Sequence, residues 1–313
     1  MTYSIVARDA ETGDLGVAVQ SKFLAVGATV AWARAGVGAI ATQAFANVAY
    51  GPDGLALLAD GHPADDVLQR LVAADDQREQ RQVGVLDVSG RAATHTGSEC
   101  LAWAGGRTGE NFAAQGNILA DAAVVDGIAD TFLAGGQPFP ELLVACLAAA
   151  EAAGGDRRGS ESAALLIVRD AGGFGGGNDR WVDLRVDQHD DPVGELGRVL
   201  TFQRLYYDRP EPADLVPLDE ATATEIRSLL ERIGGGPGGR FGSVYRRMSG
   251  EPPEDDPQPA VGEPRALPAN WDGDWQLALT EWMDVENLEA RLAAPGWVDP
   301  RVVEILRTRQ SGW

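Results

Sequence analysis

"TYSIVARDAETGDLGVAVQSK", residues 2–22, decides how the rest of the chain is read. Tyr3, Ile5 and Ala7 alternate with Ser4, Val6 and Arg8, and Val17 with Val19 resumes the apolar pattern after the turn residues "ETGD". A period of two interrupted by turn chemistry predicts a β-hairpin that begins at the second residue. The threonine behind the initiator methionine is small enough for that methionine to be removed. Thr2 would then carry an attacking hydroxyl and, in its own α-amine, a base.

Working outward, "GATVAWARAG" (27–36) and "GVGAIATQAF" (36–45) read as two more strands, rich in small and β-branched residues suited to burial on both faces. Helical patterns follow in "YGPDGLALLADG" (50–61) and "HPADDVLQRLVAADD" (62–76), the second with Val67, Leu68, Leu71 and Val72 on one face. "QVGVLDVSGRAATHTG" (82–97) is a hairpin about Ser89-Gly90. Two helices are expected over residues 121–133 and 138–152. Strands in "SAALLIVRD" (162–170) and "DRWVDLRVD" (179–187) come next, joined by "GGFGGG", and a helix starts at Pro192. Strands and helices in this order predict an α+β domain over residues 1–205, a four-layer αββα sandwich with two stacked antiparallel sheets between helices.

Beyond it, residues 206–248 form a helical connector around "LDEATATEIRSLLERIGG", and 249–268 a Pro-rich acidic linker. Residues 269–313 form a small Trp-rich helical module. Five of the eight tryptophans lie there, and Trp271, Trp275, Leu279 and Trp282 share a helical face. They are expected to be the module's core, the alternative being a surface that stacks on sugars.

Composition narrows the function classes. A net charge of −21 opposes binding to a phosphate backbone, so no nucleic-acid partner is expected. No run approaches 18 apolar residues and Arg8 and Asp9 arrive too early for a signal peptide, so no membrane partner and a cytoplasmic location are expected. Cys100 and Cys146 are too few for a disulfide framework or a thiolate cluster. His62, His95 and His189 show no metal-ligand spacing, and no metal or cofactor is expected. "GGFGGG" lacks the strand–glycine–helix context and the following GK[ST] of a phosphate loop.

Thr2 is the leading nucleophile because its base is self-contained. Lys22, the only lysine in the chain, falls one strand away across the hairpin, where a cation would keep the amine neutral. Ser4, Ser21 and Thr42 are competing hydroxyls that would need a base brought by folding. Ser21 and Asn117 are the oxyanion candidates, Asn117 by its side-chain amide beside the Gly116 backbone. Asp156 with Arg157 and Arg158, between a helix and a strand, would clamp a substrate carboxylate; His95 and Asp179 complete the substrate-binding candidates.

The stretches "TYSIVARDAETGDLGVAVQSKFLAVGATV", "GVGAIATQAFANVAYGPDGL", "HTGSECLAWAGGRTGENFAAQGNIL", "GGDRRGSESAALLIV" and "NDRWVDLRVDQHDDP" together resemble the domain of unknown function family 1028, grouped with the amino-terminal nucleophile (Ntn) hydrolase fold. The tail from Trp271 resembles the peptidoglycan-binding-like module often appended to it. The resemblance implies the αββα sandwich and an amide-hydrolase superfamily. Relatives with export signals carry a similar start directly after the cleavage point, which fits exposure of the residue matching Thr2. Members with arginine in place of Lys22 imply that charge alone serves there.

The expected function is a hydrolase of a small amide or peptide-like substrate, working as a homodimer. The alternatives are a non-catalytic scaffold whose tail binds a glycan or partner, and a metal-dependent hydrolase using His95 with His189.

Overall fold

The computed structural model describes residues 2–239, 241 and 260–309. Met1, most of the Pro-rich linker and Trp313 lie outside the described residues. The chain is a mixed α/β protein with antiparallel sheets and helices, and it divides into two units, Met1–Thr201 and Phe202–Trp313.

In the first unit the opening hairpin forms as its alternation requires, with β1 (Thr2–Arg8) and β2 (Leu15–Ser21) paired from Thr2↔Ser21 to Arg8↔Leu15. A four-residue helix, α1 (Gly27–Val30), precedes β3 (Ala31–Arg34), so the strand expected from residue 27 starts four residues later. β4 (Gly38–Ala44), α2 (Tyr50–Ala59), α3 (Ala64–Ala73), β5 (Arg81–Asp87) and β6 (Ala92–Thr96) follow. Two strands that the sequence pattern did not announce come next, β7 (Gly105–Gly109) and β8 (Phe112–Asn117). "GGRTG" and "FAAQGN" are dominated by glycine, alanine and polar residues, with Thr108 the one β-branched side chain, so the usual strand composition is missing. α4 (Ala123–Ala134), α5 (Phe139–Ala152), β9 (Ser162–Val168), β10 (Arg180–Val186) and α6 (Pro192–Tyr207) complete the order.

Six strands make one sheet, β10-β9-β2-β1-β8-β7, and four make the other, β3-β4-β5-β6. The period of two sorts each strand into two faces. Tyr3, Ile5 and Ala7 join α4 and α5 residues such as Ile128, Leu143 and Leu147 in one core. Val6, Val17, Val19, Ala39, Ala41, Leu86 and Leu166 fill the space between the sheets. Ile40, Val83 and Val85 meet α2 and α3 through Leu58, Val67 and Leu71. β1 is an interior strand, flanked by β2 and β8, and its inward positions start with Thr2 and Ser4.

The second unit builds its core from α7 (Glu220–Arg232), α8 (Gly273–Val285) and α9 (Pro300–Thr308). Residues read as a connector therefore supply core: Ala223, Ile226, Leu229 and Leu230 pack with Trp271, Trp275, Leu279 and Trp282. The apolar face of α7 has the i, i+3, i+4 spacing that requires a partner. Those three tryptophans are buried, which removes them from a sugar-stacking surface. The guanidinium of Arg291, 1% exposed, donates to the carbonyls of Arg204 and Leu205 and to Asp299 at 3.2 Å, so its buried charge is both paired and hydrogen-bonded.

Candidate functional site

At the end of the two sheets where β1 begins, the inward positions change from apolar to polar. Register places Thr2 opposite Ser21 on one side and Asn117 on the other, and Ser21 opposite Ser162. Directly opposite residues in an antiparallel pair project to the same face, so these side chains share the space between the sheets. Thr2 Oγ1 lies 3.0 Å from Ser21 Oγ, and Ser21 Oγ accepts the Phe23 backbone N–H at 3.0 Å. Thr2 is 6% exposed.

The facing sheet contributes Gln43 and Gln82, which are register partners. Gln82 is the hub: its Oε1 accepts from Gln43 Nε2 at 2.8 Å and Asn117 Nδ2 at 2.9 Å, and its Nε2 donates to the Gly116 carbonyl at 2.7 Å and to Thr96 Oγ1 at 2.9 Å. The chain continues from Gln115 Nε2 to Ser4 Oγ and from that hydroxyl to Gln43 Oε1, both at 2.7 Å. An amide has two donors and two acceptor lone pairs, so this order fixes which way each amide faces. Asn117 uses one N–H on Gln82, and strand register sets the residue directly opposite Thr2. Gly84 makes room for the network, because a Cβ there would stand 2.2 Å from Gln115 Oε1.

The backbone carries strain at the same end. Ala44 (φ 68°), Ile118 (φ 56°) and Ala25 (φ 52°) occupy the left-handed region, adjoining Gln43, Asn117 and the β2–α1 loop. For β-branched Ile118 this is a costly conformation, of the kind that clusters at functional sites.

Asp156 is reached from the other side. Its backbone bridges Leu119, its Oδ2 accepts the Lys22 backbone N–H at 3.3 Å, and its Oδ1 accepts the Arg158 N–H at 2.7 Å. Burial raises its pKa, opposed by the Arg158 amide and guanidinium.

Not every expected residue joins this cluster. The Lys22 ammonium turns to Glu161 Oε2 at 2.7 Å and the Ser160 carbonyl at 3.2 Å, so a carboxylate neutralises the cation expected to tune Thr2. His95 pairs with Val83, whose side chain belongs to the α2–α3 face, and its Nε2 lies 3.1 Å from the Arg78 carbonyl; the alternation turns it away from Thr2. Asp179 caps the opposite end of the sheet, where it binds the Ala35 N–H at 2.9 Å next to the Arg180↔Val168 pair. Arg157 is exposed and already engaged by other groups. His189 Nδ1 bonds within its own loop, to the Asp191 carbonyl at 2.8 Å, and is not brought to His95. Ser4 shares the face of Thr2, whereas the Thr42 hydroxyl bonds the Asn47 carbonyl. Among the described residues no three His, Cys, Asp or Glu are grouped to hold a metal ion, and no helix is long and apolar enough to cross a membrane.

Two cavities lie elsewhere. One of about 280 Å³ is lined by Tyr50, Arg70 and Asp75, and one of about 630 Å³ by Arg8, Asp9 and Phe139. In the first, Asp75 accepts from Arg81, Asn47 and Tyr50 at 2.9–3.0 Å, bonds that hold its carboxyl far below the usual range. Those bonds commit the Asp75 carboxylate to its neighbours.

Comparison with known proteins finds no functionally curated protein that matches the chain. The crystal structure of protein SPO2555 from Silicibacter pomeroyi, which carries the same family model, is 33% identical over 65% of this chain and 89% of its own, with a TM-score of 0.60. The family model described as a family of unknown function, DUF1028, matches residues 2–196, which hold the six- and four-stranded sheets with Thr2 at their start. The chain belongs to the family of unknown function DUF1028.

Proposed function

We propose that the first unit is an αββα sandwich of the Ntn-hydrolase type and that it hydrolyses a small amide or peptide-like bond with Thr2 as nucleophile. The observation that carries this reading is the placement of Thr2. Its hydroxyl is buried 3.0 Å from Ser21 Oγ, opposite Asn117, at the polar end of the space between two sheets.

With Thr2 as first residue, its α-amine takes the proton of Oγ1 as that oxygen attacks the substrate carbonyl. The developing oxyanion is met by the second N–H of Asn117, held in direction by Gln82, and by the Ser21 hydroxyl. The amine returns the proton to the leaving nitrogen, the C–N bond breaks, and an ester forms on Thr2. Water, deprotonated by the same amine, attacks the ester carbonyl; the C–Oγ1 bond breaks, the amine returns its proton to Oγ1, and the acid leaves with Thr2 restored. The Asp156 carboxylate is fixed by the Lys22 and Arg158 backbone N–H groups. Lys22 acts through its pair with Glu161, fixing the loop after β2.

Intact mass spectrometry establishes the first residue of the purified chain. With Thr2 in that position, Thr2→Ala is expected to abolish turnover of an amide panel while Thr2→Ser retains it. Undiminished hydrolysis by Thr2→Ala would refute the proposal.

A further inference from the structure

Three loops leave the strands at the Thr2 end, and each carries large apolar side chains into solvent. After β2 come Phe23 (61% exposed) and Leu24; after β4, Phe45 (70% exposed) and Val48; after β6, Leu101. Their placement follows from bonds already described. Phe23 donates to Ser21 Oγ and its carbonyl accepts from Ser162 Oγ. Phe45 is two residues beyond Gln43, and the Leu101 carbonyl accepts the N–H of Ile118, next to Asn117.

The ionic groups around this end are consumed locally. Lys22 is paired with Glu161, Arg81 with Asp75 and Arg158 with Asp156. Glu79 accepts from the Ser98 hydroxyl and N–H, bonds that lower its pKa. A substrate carboxylate would meet no uncommitted cation among these groups, inside a chain of net charge −21. An apolar group would meet exposed aromatic and aliphatic surface, whose burial is favourable in proportion to its area.

We infer that Phe23, Leu24, Phe45 and Leu101 receive a neutral, apolar acyl group of the substrate, placing its carbonyl at Thr2. The inference rests on the hydrolase reading above. Apolar side chains on the loops that adjoin a buried polar cluster match the usual division of labour in a small-molecule site, where apolar walls supply affinity and a few polar groups orient.

The test uses the full chain and a series of neutral 4-nitroanilides, acetyl, butyryl, hexanoyl and phenylacetyl, with anionic glutaryl as the charged control. The expected result is a rise in kcat/KM of up to about fourfold per added methylene, the factor that about 0.8 kcal/mol per buried CH₂ provides. Phe23→Ser and Phe45→Ser, both at exposed positions, are expected to reduce the hexanoyl-to-acetyl ratio at least tenfold when combined. Binding of hexanamide, phenylacetamide, acetamide and glutaramate to the Thr2→Ala chain, by calorimetry, reads the rim without turnover. The same order of preference supports the inference even where no anilide is cleaved. A flat series, or preference for the glutaryl and glutaramate probes, overturns it while Thr2-dependent turnover preserves the hydrolase reading. A dimer that dissociates in the double Ser variant, with no apolar preference in binding, also overturns it and makes the rim a contact with a second copy.

Discussion

Replacing Gln82 with leucine tests the architecture of the polar end most directly. Gln82 is fully buried, and its two side-chain atoms make four hydrogen bonds of 2.7–2.9 Å. Gln82→Leu keeps the volume but strips the acceptor from Gln43 and Asn117 and the donor from Gly116 and Thr96. Each buried group left unpaired costs about 1–3 kcal/mol. Gln43 retains longer contacts to the carbonyls of Thr2 and Gln115 at 3.4 Å, and the leucine adds apolar burial of about 2 kcal/mol. The net loss comes to about 3 kcal/mol, which lowers the melting temperature of the first unit by about 6–12 °C. Calorimetry reads the transition, and activity on the amide panel reads the release of Asn117. Gln82→Glu separates hydrogen bonding from packing. A carboxylate would point an acceptor at the Gly116 carbonyl, so its folded pKa is raised above the unfolded value. Stability of that variant is then greatest below the ordinary Glu range and is lost as pH rises through the raised folded pKa. A Gln82→Leu loss under 1 kcal/mol, or a Gln82→Glu variant indifferent to pH, would refute the reasoning.

Gly84→Ala forces Gln115 off its bond to Ser4, because the new Cβ would lie 2.2 Å from Gln115 Oε1; a loss of about 1–3 kcal/mol is expected in urea titrations. The double variant Gly84→Ala with Gln115→Ala should lose less than the two singles combined, since they remove the same contact. In the second unit, burial first and then the charges of Glu289 and Glu281 push the Asp284 carboxyl up to about 6. The folded state therefore binds more protons than the unfolded state between about pH 4 and 6, and stability falls as pH rises across that window. Asp284→Asn should flatten this slope and stabilise the chain by about 1–2 kcal/mol at pH 7, allowing for partial solvent screening, as read from denaturation midpoints at pH 4.5 and 7.

The outer frame was legible from alternation and helical period because those patterns record burial, as in the β1–β2 hairpin and α5. What escaped was carried by small residues. β8 supplies a partner of Thr2, yet Phe112–Asn117 holds two alanines and a glycine and shows no strand signature. The site was half legible: Thr2, Ser21, Asn117 and Asp156 converge, while His95 and Asp179 are turned outward or to the far end by strand register, which no single segment reveals. Gln43, Gln82 and Gln115 each interrupt an apolar strand at an inward position. A buried amide is costly unless partnered, and three of them at matching offsets are the signal that points to a shared network.

The interior position of β1 also governs the order in which the protein can be made. Its pairing with β2 is local, but its other edge waits for β8, and Thr2 meets Asn117 only after more than a third of the chain has been synthesised. At about 5–20 residues per second the ribosome leaves that edge open for several seconds, with Tyr3, Ile5 and their neighbours uncovered. The opening hairpin thus has an edge that is covered late, and peptide attached ahead of Thr2 would be joined directly to the residue that pairs with Ser21 and Asn117. An affinity tag belongs at the other terminus.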